Sequence, residues 1–88
     1  MAGEWTAKAR WAALRGDHAA AGDLYRLAGN LPRALEMYRK GRLYRAAGEV
    51  SVQLGDYAAA SRDFELGGML LEAAEQAMRA GDRDRAAR

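Results

Sequence analysis

Apolar residues recur along the chain at helical spacing, and glycines interrupt this pattern at nearly regular intervals. Six glycines lie 12 to 14 residues apart: Gly16, Gly29, Gly41, Gly55, Gly68 and Gly81. When each is counted as position one, position six is always alanine, and positions three and ten are mostly large and apolar. Offsets of three, four and seven residues place these side chains on one face of a helix. The pattern predicts short helices that pack through an alanine-centred face.

The residue after each glycine indicates how one helix ends and the next begins. Asp or Asn follows four of the six glycines, giving the pairs Gly16-Asp17, Gly29-Asn30, Gly55-Asp56 and Gly81-Asp82. Glycine adopts the left-handed conformation that ends a helix, and an Asp or Asn side chain accepts hydrogen bonds from the first free amides of the next helix. We therefore expect a tight turn at each glycine.

These boundaries predict an all-α fold in a single domain over residues 1–88. We expect six or seven helices, near residues 4–15, 17–28, 30–40, 42–54, 56–66, 69–80 and 82–88. Helices this short do not persist alone in water, so neighbouring helices must stabilise them. Since turns of one to three residues make consecutive helices antiparallel, the predicted architecture is an array of short helix hairpins, an α-solenoid.

A double period makes the repeating unit a hairpin of about 26 residues. Residues 41–54 resemble residues 68–80, and residues 29–40 resemble residues 55–67. In the second of these pairs, residues 55–67 follow the pattern G-x-Y-x-x-A-x-x-x-F through Gly55, Tyr57, Ala60 and Phe64. A weaker copy consists of Gly29, Leu31, Ala34 and Tyr38, and a first-helix pattern is echoed by Ala21, Gly22 and Tyr25.

These patterns resemble the tetratricopeptide repeat (TPR), and the resemblance covers roughly residues 16–88. The units of 25 to 27 residues are shorter than the TPR unit of about 34 residues, and the family's proline before the next repeat is absent. The resemblance implies a TPR-like solenoid that binds proteins. It transfers no peptide-binding residue to this chain, because the shorter repeat changes the curvature on which such residues depend.

Composition narrows the class of protein. The sequence contains no cysteine, no apolar stretch of signal-peptide length and no candidate membrane span, so we expect a cytoplasmic protein. The excess of arginine over lysine is as typical of a GC-rich bacterial genome as of functional selection.

Charge is unevenly distributed, although the net charge is only +2. Basic residues dominate from Arg26 to Arg45, and acidic residues dominate from Glu49 to Glu75. Either these are solvated helix faces, or opposite charges attract one copy of the chain to another. An alternative function is nucleic-acid binding through the basic segment Arg39–Arg45, with Tyr38 and Tyr44 stacking on bases.

The sequence offers no catalytic constellation. His18 is the only histidine, and its repeat position predicts a half-buried structural side chain. The acidic pairs near the C-terminus are better explained as helix caps and solvated groups than as acid–base catalysts. We expect no enzyme activity, no metal and no cofactor.

Two surfaces are candidates for partner binding. Helical positions outside the alanine face predict contacts with a protein or peptide segment by Arg26, Tyr44, Ser51, Leu71, Glu75 and Met78. The alternative is that Tyr44, Leu71 and Met78 belong to the core. At the two ends, apolar residues predict self-association or continuation of a longer array: Trp5, Trp11, Met69 and Leu70. Trp5 and Trp11 lie on different helix faces, so one can pack inward while the other stays exposed.

Overall fold

The computed structural model describes residues 2–86, in which every regular element is an α-helix. The helices are α1 (Ala2–Leu14), α2 (His18–Leu27), α3 (Leu31–Lys40), α4 (Tyr44–Gln53), α5 (Tyr57–Leu66) and α6 (Leu70–Ala86). The predicted all-α class is confirmed, and α1 to α5 lie within two residues of their predicted bounds. Among the described residues, no helix has the length and apolar character needed to cross a membrane.

The turns have the predicted chemistry. Gly16, Gly29, Gly55 and Gly68 have φ values between 75° and 80°, the left-handed region. After Gly16 the N–H of Asp17 donates to the Ala12 carbonyl at 2.9 Å, which closes the end of α1. The capping carboxylate of Asp17 then accepts the N–H of Ala20 at 3.1 Å. Asn30 and Asp56 cap α3 and α5 in the same way.

The turn after α3 differs from the prediction by one residue. Gly41 has a φ of −84°, and Arg42 takes the left-handed position with a φ of 58°. Arg42 lies 26 residues after Gly16 and 26 before Gly68, so it is their repeat counterpart. The predicted alanine position shifts with it: Ala47 is fully buried, whereas Ala46 is only half-buried.

The predicted break at Gly81 is wrong, because α6 continues through it to Ala86. A break there would leave a helix of one or two turns, too short to form without support. Continuation costs about 1 kcal/mol for a glycine inside a helix. Arg83, which lies beyond the glycine, donates a hydrogen bond to the Gly55 carbonyl and so ties the last turns of α6 to the α4–α5 turn. The last two residues of the predicted helix 82–88 lie outside the described residues.

The helices form two compact units, which divide between Leu43 and Tyr44. α1, α2 and α3 pack consecutively in the first unit, and α4, α5 and α6 do so in the second. Each unit has its own core, and alanine dominates both: Ala9, Ala12, Ala21 and Ala34 are buried in the first, and Ala47, Ala59, Ala60 and Ala73 in the second. Small side chains at these positions allow close approach of the helix axes.

One packing contact is repeated in both units. A Cβ built at Gly22 of α2 would lie 2.4 Å from the ring of Tyr38 in α3. A Cβ built at Gly48 of α4 would lie 2.6 Å from the ring of Phe64 in α5. Both residues of the second pair follow those of the first by 26 positions. The 26-residue repeat therefore specifies a packing geometry in which an aromatic ring covers a helix glycine.

Candidate interaction surface

α6 carries a row of exposed apolar side chains. Leu70, Leu71 and Met78 are 69%, 71% and 69% exposed. Ala74 and Ala77 lie between them and are exposed as well. The opposite side of α6 is buried, and there the Ser61 hydroxyl of α5 donates to the Ala73 carbonyl at 2.8 Å. One face of α6 thus packs in the unit, and a second apolar face contacts solvent.

α1 also presents a large apolar side chain to solvent. Trp11 is 66% exposed, whereas Ala9 and Ala12 on the inner face are fully buried. Trp5 is half-buried, and the Lys8 ammonium lies 5.3 Å from its ring centroid. The two tryptophans therefore differ in exposure, and Trp11 is the more exposed of the two.

Five of the six predicted partner-binding residues lie at exposed or half-buried positions. Leu71, Glu75 and Met78 are exposed on α6, so Leu71 and Met78 are not core residues. Tyr44 is half-buried, because it packs closely on Gly67 at the end of α5. A Cβ built on Gly67 would lie 3.0 Å from the Cβ of Tyr44. Arg26 is half-buried in the other unit.

Ser51 and Met69 have to be removed from the predicted surfaces. Ser51 is fully buried, because its face of α4 packs on α5, and its hydroxyl donates to the buried Asp63 carboxylate at 2.8 Å. Met69 is half-buried and packs against a core cluster of the second unit that includes Phe64. Ser51 is therefore not available to a partner in this conformation, and Met69 contributes mainly to the core of its unit.

The sequence did not single out four exposed leucines. Leu14, Leu27 and Leu66 are the last residues of their helices, and Leu54 follows the last residue of α4; their exposures range from 44% to 81%. Their common signal is a leucine one or two residues before a turn glycine. Because the helix ends there, no following turn of helix covers the side chain.

Tyr38 forms a polar contact between α2 and α3. Its side chain is only 2% exposed, and its hydroxyl donates to the Asp23 carboxylate. Burial raises the pKa of Tyr38 to about 12, and Asp23 adds to the shift because a phenolate would lie beside a carboxylate. The Arg26 guanidinium acts in the opposite direction and lowers the pKa of Tyr38. Tyr38 is therefore a neutral core residue at physiological pH.

The basic segment Arg39–Arg45 is partly neutralised. The Lys40 ammonium lies 3.3 Å from Glu36, and its hydrogen bond lowers the pKa of that carboxyl. The Arg45 guanidinium lies 3.7 Å from Glu72. Since Tyr38 is buried, it cannot stack on a base, which weakens the nucleic-acid interpretation of this segment.

Among the described residues, two buried side-chain polar atoms have no hydrogen-bond partner. His18 is half-buried as predicted, and its Nδ1 is one of them. The other is Oε1 of Gln76, on the inner face of α6. Within the described residues, His, Asp and Glu side chains form no cluster of three that could hold a metal ion.

No family model matches the chain, and no match is found among the curated proteins or the solved structures. The structure itself shows that the described chain consists of short helices whose neighbours pack together within each unit. This arrangement is compatible with a helical repeat.

Proposed function

We propose that this chain is a non-catalytic protein–protein interaction or self-assembly module built from TPR-like repeats. The observation that carries the proposal is the exposed row on α6, where Leu70, Leu71 and Met78 are each about two-thirds exposed or more. Contiguous exposed apolar residues of this kind are typical of interaction sites. Trp11 on α1 also supports the proposal, because tryptophan is enriched among the residues that contribute most of the binding energy at protein interfaces.

The energetics favour coverage of this row by another protein surface. Full burial of a leucine or methionine side chain contributes roughly 1.5–3 kcal/mol. Burial of Leu70, Leu71 and Met78 together would offset a substantial part of the entropic cost of association. Glu75 lies beside them and is exposed, so it supplies a charged edge that limits which partner fits.

Light scattering at increasing protein concentration tests the self-assembly form of this proposal. We expect a mean mass above that of one chain, and we expect it to fall when Leu71 and Met78 are replaced by lysine. The Leu27→Lys, Leu66→Lys double variant is the matched control, because it adds the same two charges at other exposed apolar positions. A strict monomer at every concentration would remove self-assembly and leave a partner protein as the occupant.

A gel-shift titration distinguishes the alternative function. Nucleic-acid binding through the basic segment requires a shift at low salt that disappears in the Arg39→Ala, Arg42→Ala double variant. We expect no shift that depends on these two arginines.

A further inference from the structure

The repeat of 26 residues makes α2, α4 and α6 counterparts of one another, and likewise α1, α3 and α5. Two contacts define how a helix of the first class packs on the helix that follows it. Gly22 and Gly48 lie under the rings of Tyr38 and Phe64, and Ser51 donates to Asp63. The pairing of α2 with α3 therefore uses the same helix faces as the pairing of α4 with α5.

In α6 this pairing face is exposed. Ala74 is the counterpart of Gly22 and Gly48, and Ala77 is the counterpart of Tyr25 and Ser51. The four counterparts are buried, whereas Ala74 and Ala77 are exposed. Leu70 continues the pattern: it is 69% exposed, but its counterparts His18 and Tyr44 are half-buried against the ends of α3 and α5.

In α1 the complementary face is exposed. Trp11 is the counterpart of Met37 in α3 and of Asp63 in α5, and both of these are buried. Asp63 faces the preceding helix, as its hydrogen bond with Ser51 shows. Trp11 is 66% exposed, so α1 presents the face by which α3 and α5 pack on the helix before them.

We propose that α1 of one copy packs on α6 of a second copy and so repeats the α2–α3 and α4–α5 pairing between molecules. This inference rests on the proposed self-assembly function and assigns its surfaces. In this register Trp11 of one copy covers Ala77 of the other. Because the two surfaces are different, the contact is head-to-tail, and each added copy leaves one free α1 and one free α6.

Side-chain sizes fit this pairing. A methyl group at the Gly22 or Gly48 position would collide with the ring of Tyr38 or Phe64. α6 carries such a methyl at Ala74, and in α1 the counterpart of the two rings is Ala12. Ala12 is fully buried within its own unit, so no ring at this position of α1 meets the methyl group of Ala74, and the exposed bulk is supplied one residue earlier by Trp11. Compared with the pairs within the chain, the side chain on α6 is larger and the one at the corresponding position of α1 is smaller, so the total side-chain volume at the contact is similar.

Charge fits it as well. The unit that contains α1 has eight basic and four acidic residues, whereas the unit that contains α6 has six basic and eight acidic. Asp23, which accepts the hydrogen bond of Tyr38, has Glu75 as its counterpart on α6. Lys8 and Arg15 flank Ala12 by one helical turn on either side, so basic groups of α1 face Glu75 in the proposed contact.

Two single variants that each block one end test the contact. Trp11→Glu blocks α1, and Ala74→Arg blocks α6; both sites are exposed, so circular dichroism and thermal unfolding should show an intact fold. Each variant alone should weaken self-association by about tenfold or more, because each places a charge in the centre of an apolar contact. Mixed together, they should form a dimer of one copy each, because the mixture retains one intact α1 and one intact α6.

Matched controls are Leu27→Glu and Ala19→Arg, which introduce the same charged residues at exposed positions outside the contact and should associate like the unaltered chain. The inference is overturned, and the proposed function kept, if the two blocking variants still associate fully. It is also overturned if Trp11→Glu associates normally while Ala74→Arg does not, since this would indicate a symmetric α6 contact. A monomeric unaltered chain would overturn the inference and the self-assembly form of the proposed function, and it would leave binding of a partner protein.

Discussion

Arg42 is in a backbone conformation that glycine occupies at the four other turns. Its φ of 58° lies in the left-handed region, where the Cβ of an L-residue approaches the following carbonyl oxygen. The N–H of Leu43 nevertheless donates to the Tyr38 carbonyl at 2.8 Å, so the turn has the same hydrogen bonding as the others. The repeat geometry thus imposes the conformation on a residue that does not favour it.

Replacing Arg42 by glycine should stabilise the protein by about 1 kcal/mol, because it removes a steric cost of roughly 1–2 kcal/mol and adds only a smaller entropic cost in the unfolded chain. Urea unfolding measures the change. Arg42→Ala is the control: it removes the charge but keeps the Cβ, so we expect little gain. If both variants stabilise the protein equally, the gain comes from removal of the Arg42 charge and not from relief of its left-handed backbone conformation.

Tyr38 should make stability depend on alkaline pH. Its pKa in the folded protein is about 12, above the ordinary value of 10.0, so the unfolded chain releases this proton first. The contribution is fully present below pH 10 and is lost as the pH rises towards 12. Thermal unfolding across this range should show a fall in stability that is smaller in Tyr38→Phe. An identical fall in the phenylalanine variant would rule out Tyr38 as the cause.

At the scale of the element, two helix glycines should respond to alanine in opposite directions. Gly48→Ala should destabilise by roughly 1–3 kcal/mol, because the methyl would collide with Phe64. Gly81→Ala should stabilise by about 0.5–1 kcal/mol, because Gly81 is inside α6 and no neighbour lies within 4 Å of the added Cβ. Denaturant midpoints compare the two. A gain in both variants would contradict the ring-on-glycine packing.

The helices were predictable where their ends depend on local chemistry. Gly16 with Asp17 and Gly55 with Asp56 end one helix and cap the next through bonds within a few residues. Gly81 has the same local sequence and does not break α6, because the outcome there depends on contacts with the distant α4–α5 turn. Periodicity identified which faces are apolar, but it could not show which of those faces another helix covers.

The candidate site was partly predictable for the same reason. Leu70, Leu71 and Met78 were identified from their apolar character near the end of the repeat series, and they are exposed. Ser51 occupies a similar position in α4 but is buried by α5, where it pairs with Asp63. The sequence could not reveal this pair, because a serine and an aspartate twelve residues apart have no pattern of their own.

At the scale of the whole molecule, each unit of three helices has a core composed mainly of alanine. Alanine buries little apolar area, so units of this size have modest stability unless further surface is covered. Large exposed apolar groups lie on both α1 and α6: Trp11, Leu14, Leu70, Leu71 and Met78. Coverage of these groups by a second copy would increase the buried apolar surface, and stability would then rise with protein concentration.

Amide hydrogen exchange of the unaltered chain, measured in dilute and in concentrated solution, tests this account most directly. We predict that exchange in α1 and α6 slows as the concentration rises, because their exposed faces become covered, while exchange in α3 is unchanged. Exchange that is independent of concentration in all six helices, or that slows only outside α1 and α6, would contradict the account.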